Sequence, residues 1–163
     1  MLPNSVHPPQ PSRDIVKRRQ NGLPDIPRAD HASLEREPQI MKFDWSEGAL
    51  AEGLRLYEAG EFFTAHEAWE TVWLGSPEPE KTFLQGLIQV TAALHHLQRN
   101  NPLGAMLLMQ AALRRLDRYP AGFGGISVTL LCRDIRACLG RLEAGEPVSE
   151  MLSPRIRSPQ DSA

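Results

Sequence analysis

From about Trp45 to Leu142, apolar residues recur about every three to four positions, the period of helices that each bury one face. Asp44 followed by Glu47 has capping-box spacing and opens a first helix with Leu50, Gly53, Leu54 and Tyr57 on one side. Gly60 then supplies the left-handed residue that stops it. A second helix is predicted from about Glu61 to Leu74. Ser76 and Pro77 form an N-cap and first-turn pair for a third, running to about Arg99. Asn100 takes the left-handed position after it, and Asn101-Pro102 restarts the chain as a fourth helix with Ala105, Leu108, Met109, Ala112, Leu116 and Tyr119 in one stripe. Residues 120–125 read as a loop. A fifth helix begins near Ser127 and aligns Val128, Leu131, Cys132, Ile135, Leu139 and Leu142. No strand pattern competes with these stripes.

The expected fold is therefore all-α: a single-domain bundle of about five antiparallel helices over residues 43–145. Half of the 14 prolines fall before residue 40, where apolar periodicity is absent, so 1–42 reads as a disordered Pro-rich tail. The stretch 146–163, with Ser153-Pro154 and Ser158-Pro159, reads the same way. Gly60, Phe62, Ala65, Trp69 and Pro77 have spacings close to those of a tetratricopeptide unit, and Asn100 and Ala105 echo Gly60 and Ala65. Stacked helical hairpins follow from that echo. One clear unit is too few for a repeat array.

Composition narrows the function classes. Hydrophobic residues make up 41% and charged residues 23%, ordinary for a soluble globular protein. A formal net charge of -2 argues against a dedicated nucleic-acid binder, and Lys17-Arg18-Arg19 lies in the Pro-rich tail, where solvated charge is the simpler reading. No stretch has the apolar length to span a bilayer, and no apolar signal region opens the chain, so no membrane association is expected. Cys132 and Cys138 lie on one predicted helix with Cα atoms roughly 9 Å apart, too far for a disulfide. A reduced cytoplasmic protein is the natural expectation.

Candidate chemistry sits on the second and third helices. His66 and Glu70 fall in the stripe of Phe62, Trp69 and Trp73, so both polar groups are expected to face the core and to need partners. On the third helix Gln85, Gln89 and His96 line up with Ala92 inside apolar surroundings. Side by side, the two rows would make a polar site of His66, Glu70, Gln85, Gln89 and His96, with Glu67, Trp73 and Asn101 as neighbouring candidates. Three readings compete: a hydrogen-bond network that sets helix register, a divalent metal held by His66, Glu70 and His96, or a small-ligand or enzymatic pocket with Glu70 or Glu67 as base. The segment His-Glu-x-x-Glu lacks the second histidine of the zinc-protease helix motif. No residue can be named catalytic. A tetratricopeptide-like interaction module with purely structural polar rows is the alternative from another class, and a homo-oligomer or protein partner stays open. Gly86 and Gly104 mark close helix–helix contacts.

The assembled motifs are Gly60-Glu61-Phe62-Phe63-Thr64-Ala65-His66-Glu67 continuing to Glu70 and Trp73, then Gln85-Gly86-Leu87-Ile88-Gln89, then His96, Asn101 and Gly104-Ala105. Over about residues 47–135 they resemble the uncharacterised family catalogued as domain of unknown function 309. That resemblance implies a small helical bundle and brings no established activity, cofactor or catalytic residue. This chain departs from the family pattern at Asn100, where glycine is usual, and at Ser127, where an acid is frequent.

Overall fold

The computed structural model describes residues 43–157, all within the unit Pro38–Ala163. Among them are five α-helices and no strand: α1 (Gly48–Glu58), α2 (Phe62–Gly75), α3 (Glu80–Gln98), α4 (Pro102–Leu116) and α5 (Val128–Glu143). Two 3-10 turns follow α4 and α5, at Phe123–Gly125 and Val148–Glu150. Each helix packs on the next in sequence: α1 on α2, α2 on α3, α3 on α4 and α4 on α5. The short links joining α1 to α2, α2 to α3 and α3 to α4 make those neighbours antiparallel, as the expected stack of hairpins requires. No described helix is long and apolar enough to cross a membrane.

Helix ends follow local chemistry. At the end of α1, Gly60 has φ 79°, and the amides of Gly60 and Glu61 donate back to Tyr57 O and Leu56 O at 3.0 and 2.9 Å. Asn100, with φ 54°, does the same after α3: its amide meets Leu97 O at 2.9 Å and that of Asn101 meets His96 O at 2.8 Å. Both turns are Schellman caps. The echo between Gly60 and Asn100 is thus one turn used twice. Asn101 then accepts from the Gly104 amide at 3.0 Å, capping α4 as its position predicts.

Two predicted starts are corrected. Asp44 does not cap α1; its carboxylate closes a turn on the amide and hydroxyl of Ser46, and the helix begins at Gly48. Ser76 does not open α3 either. Its hydroxyl donates back to Val72 O at 2.8 Å, closing α2, while Glu78 accepts from the Thr82 amide and hydroxyl at the true start. Short polar side chains cap whichever backbone groups lie within reach, and sequence spacing does not say on which side those are.

The core centres on Trp69, Phe83, Leu84, Leu87, Met109, Leu116, Leu131 and Ile135, all fully buried. Trp69 lies against Gly53 and donates its indole N–H to Leu50 O at 3.1 Å. A β-carbon at Gly53 would lie 2.2 Å from the Trp69 Nε1 atom, so α1 and α2 approach through the space a side chain would need. Gly86 does the same for α3 and α4, where a β-carbon would meet Leu116 at 2.8 Å. The stripes predicted on α4 and α5 are the observed core faces, and Cys132 and Cys138 are both free and buried.

Residues 146–157, placed by their prolines in a tail, instead lie against the bundle. Pro154 is fully buried and accepts from the Tyr57 hydroxyl; Ile156 is buried; and Arg157 O accepts from the Ser127 amide at 2.7 Å. A segment without helical periodicity still docks when two apolar residues find a surface. The expected N-terminal tail, 1–42, and residues 158–163 lie outside the described residues.

Candidate functional site

Trp69 marks the centre of the buried face of α2, with Phe62 and Ala65 beside it. His66 is turned about 60° from Trp69 around the helix axis and Glu70 about 100°. Both therefore reach the flank, and the expectation that they face the core is corrected: their side chains are 26% and 48% exposed. His66 Nε2 lies 3.6 Å from Glu70 Oε1, while its other ring nitrogen, Nδ1, is buried without a hydrogen-bond partner. Trp73 Nε1 is orphaned in the same way, under a Lys81 ammonium 4.7 Å from the ring centroid. Glu67 is exposed, as a carboxylate about 100° from His66 should be.

The second row is real but faces elsewhere. Gln85, Gln89 and His96 are half-buried along α3. Gln89 Oε1 accepts from Arg115 on α4 at 3.2 Å, and His96 Nδ1 lies 2.9 Å from the Asn101 amide nitrogen at the start of α4. Gln89 and His96 thus pair with α4 or its cap, whereas His66 and Glu70 lie against each other on α2. Among the described residues no group of three or more His, Cys, Asp or Glu side chains could hold a metal ion, so His66, Glu70 and His96 do not assemble as a ligand set. The single polar site built from both rows is replaced by separate pairs at the bundle surface.

Sequence reasoning passed over the apolar side chains on that surface. Phe63, 54% exposed, lies against both His66 and His95, with ring centroids 6.5 and 5.3 Å apart. On α4, Leu103 and Leu107 are 66% and 59% exposed. Their signal was present: both fall outside the Ala105–Met109–Ala112 stripe at i, i+4 spacing, as an unburied pair should.

Residues 50–108 match the family described as Domain of unknown function (DUF309). The resemblance read from the motifs is borne out, and the DUF309 region spans nearly all of α1, then α2, α3 and the start of α4, with every candidate from His66 to Asn101 inside it. An uncharacterised protein of Aquifex aeolicus (strain VF5) is 32% identical over 115 residues, which cover 70% of this chain and 32% of the relative. The chain therefore spans about a third of that relative's length.

Proposed function

We propose that the DUF309 region is a protein-interaction module whose working surface is the open face of α2, α3 and α4. One observation carries this reading: Phe63, Leu103 and Leu107 are exposed, while the half-buried polar groups Gln89 and His96 already have partners on or at the start of α4. Apolar side chains left in water at helical spacing beside satisfied polar ones are the pattern of a docking face. The charges on these helices favour an acidic partner, since Lys81, Arg114 and Arg115 stand against Glu67 and Glu70. The fitting partner is an amphipathic helix bearing acids along one edge. A match covering a third of a longer relative agrees with a module that works beside other segments.

The test is selection from a displayed library of acidic amphipathic helices, followed by affinity measurement by fluorescence anisotropy. The double variant Phe63→Ser, Leu107→Ser should weaken the selected peptides about tenfold or more without moving the melting temperature. Binders indifferent to that change, or a library that yields none, would end the proposal.

The orphaned Nδ1 of His66 favours a second reading, a small polar ligand or metal on the flank of α2, and the orphaned Trp73 N–H would serve as a donor to such a ligand. Elemental analysis of untagged protein separates the two. A stoichiometric metal lost on His66→Ala supports the second reading, and metal-free protein with an unchanged melt leaves the first.

A further inference from the structure

We propose that the cleft between the α1–α2 turn and the 151–157 segment binds an organic anion, its apolar body on the floor and a phosphate or carboxylate against Arg155 and Arg157. This site shares no residue with the α2–α3–α4 face and does not depend on the reading given to that face.

The cleft is half open to solvent and offers about 520 Å³, within the range that small-molecule sites occupy. Its floor is apolar: Tyr57, Phe62, Pro154 and Ile156 all line it and are all buried. Its far wall is held in place without a ligand. The Tyr57 hydroxyl donates to Pro154 O, Asp134 Oδ2 accepts from the Arg155 amide at 3.3 Å, and Arg157 O accepts from the Ser127 amide at 2.7 Å. A ligand would enter a formed site and would have little backbone to order.

The charge is arranged for an anion. Arg155 is exposed and Arg157 half-buried, and Glu58 is the acid among the described lining residues. Arg157 carries the more specific signal, because its Nη2 atom is shielded from solvent and has no hydrogen-bond partner among the described residues. A buried guanidinium nitrogen with nothing to donate to is unfavourable, and a turn of this half-buried side chain into the cleft would let an oxyanion relieve it with a charge-assisted bond. Gly60 and Phe62 bring the start of α2 to the same cleft, where no side chain caps the first turn. The free amides there add attraction for negative charge.

The test uses the full chain, with amide chemical shifts followed by NMR during titration with phenyl phosphate, inorganic phosphate and phenol. Phenyl phosphate should shift Gly60, Phe62 and residues 153–157 saturably. Each half-molecule alone should bind about tenfold or more weakly, since the site uses both floor and arginines. Arg157→Gln should weaken phenyl phosphate by about tenfold or more. If Arg157→Gln disturbs folding, Arg155→Gln on the exposed side chain gives the same reading with a native melt. Absence of saturable shifts, inorganic phosphate binding as tightly as phenyl phosphate, or unchanged affinity in a folded Arg155→Gln protein would each overturn the proposal.

Discussion

Trp69 and His66 stand one turn apart on α2, yet the two side chains meet different fates. The indole is sealed between α1 and α2 and hydrogen-bonded to Leu50 O, while the imidazole reaches the flank beside exposed Glu70. Their removal should cost very different amounts. His66→Ala should lower unfolding stability in urea by about 1 kcal/mol or less, because the imidazole makes only a 3.6 Å contact with Glu70 and leaves its other nitrogen unpaired. Gly53→Ala, one methyl group, should cost more, on the order of 1–3 kcal/mol, since the new carbon would fall 2.2 Å from the Trp69 Nε1 atom and the ring has nowhere to go. If the histidine variant proves the less stable of the two, the assignment of core and flank on α2 is wrong.

At the level of elements, the turns carry much of the information. Asn100 and Asn101 show how two adjacent residues of one type do different work. Asn100 adopts φ 54° to end α3, a conformation that costs an alanine roughly 1 kcal/mol, so Asn100→Ala should destabilise and Asn100→Gly should not. Asn101 caps the Gly104 amide and also meets His96 Nδ1. Asn101→Ala should therefore cost about 1–2 kcal/mol, and the His96 ring resonances should shift in an NMR spectrum that is otherwise native. These ends were legible from residue type, because a left-handed turn admits few side chains. The starts of α1 and α3 were not, since Asp44 and Ser76 each had a nearer backbone partner than the helix offered them.

The whole molecule answers to alkaline pH. Burial pushes the Cys132 thiol from its ordinary 9.0 up to about 12, with Asp117 adding to the shift. Burial likewise raises Cys138, Tyr57 and Tyr119. Each of these acids is held protonated by the folded state, so the folded protein binds more protons than the unfolded chain above their ordinary values. The stability they contribute is complete below pH 9.0 and is lost as pH rises through the folded values. Urea midpoints measured from about pH 7 to about pH 11 should be level at first and then fall. Cys132→Ala should start lower and fall less steeply; an unchanged slope would show that the thiol does not titrate with unfolding. The same burial makes both thiols slow to react with disulfide reagents at neutral pH until the protein opens.

Periodicity, turn residues and motif spacing were enough to specify five helices, their order, the stripes that form the core and the DUF309 resemblance, because each of these follows from the chain's own neighbours within about a turn of helix. They were not enough to say which way a flank residue faces. His66 and Glu70 share the helix that buries Trp69, and only the placement of α1 and α3 around α2 decides that the buried arc closes before it reaches them. The same holds for residues 151–157, whose docking on Tyr57 depends on a surface assembled from a helix far away in sequence. Burial is a property of what packs against a side chain, and that is settled by the assembled fold.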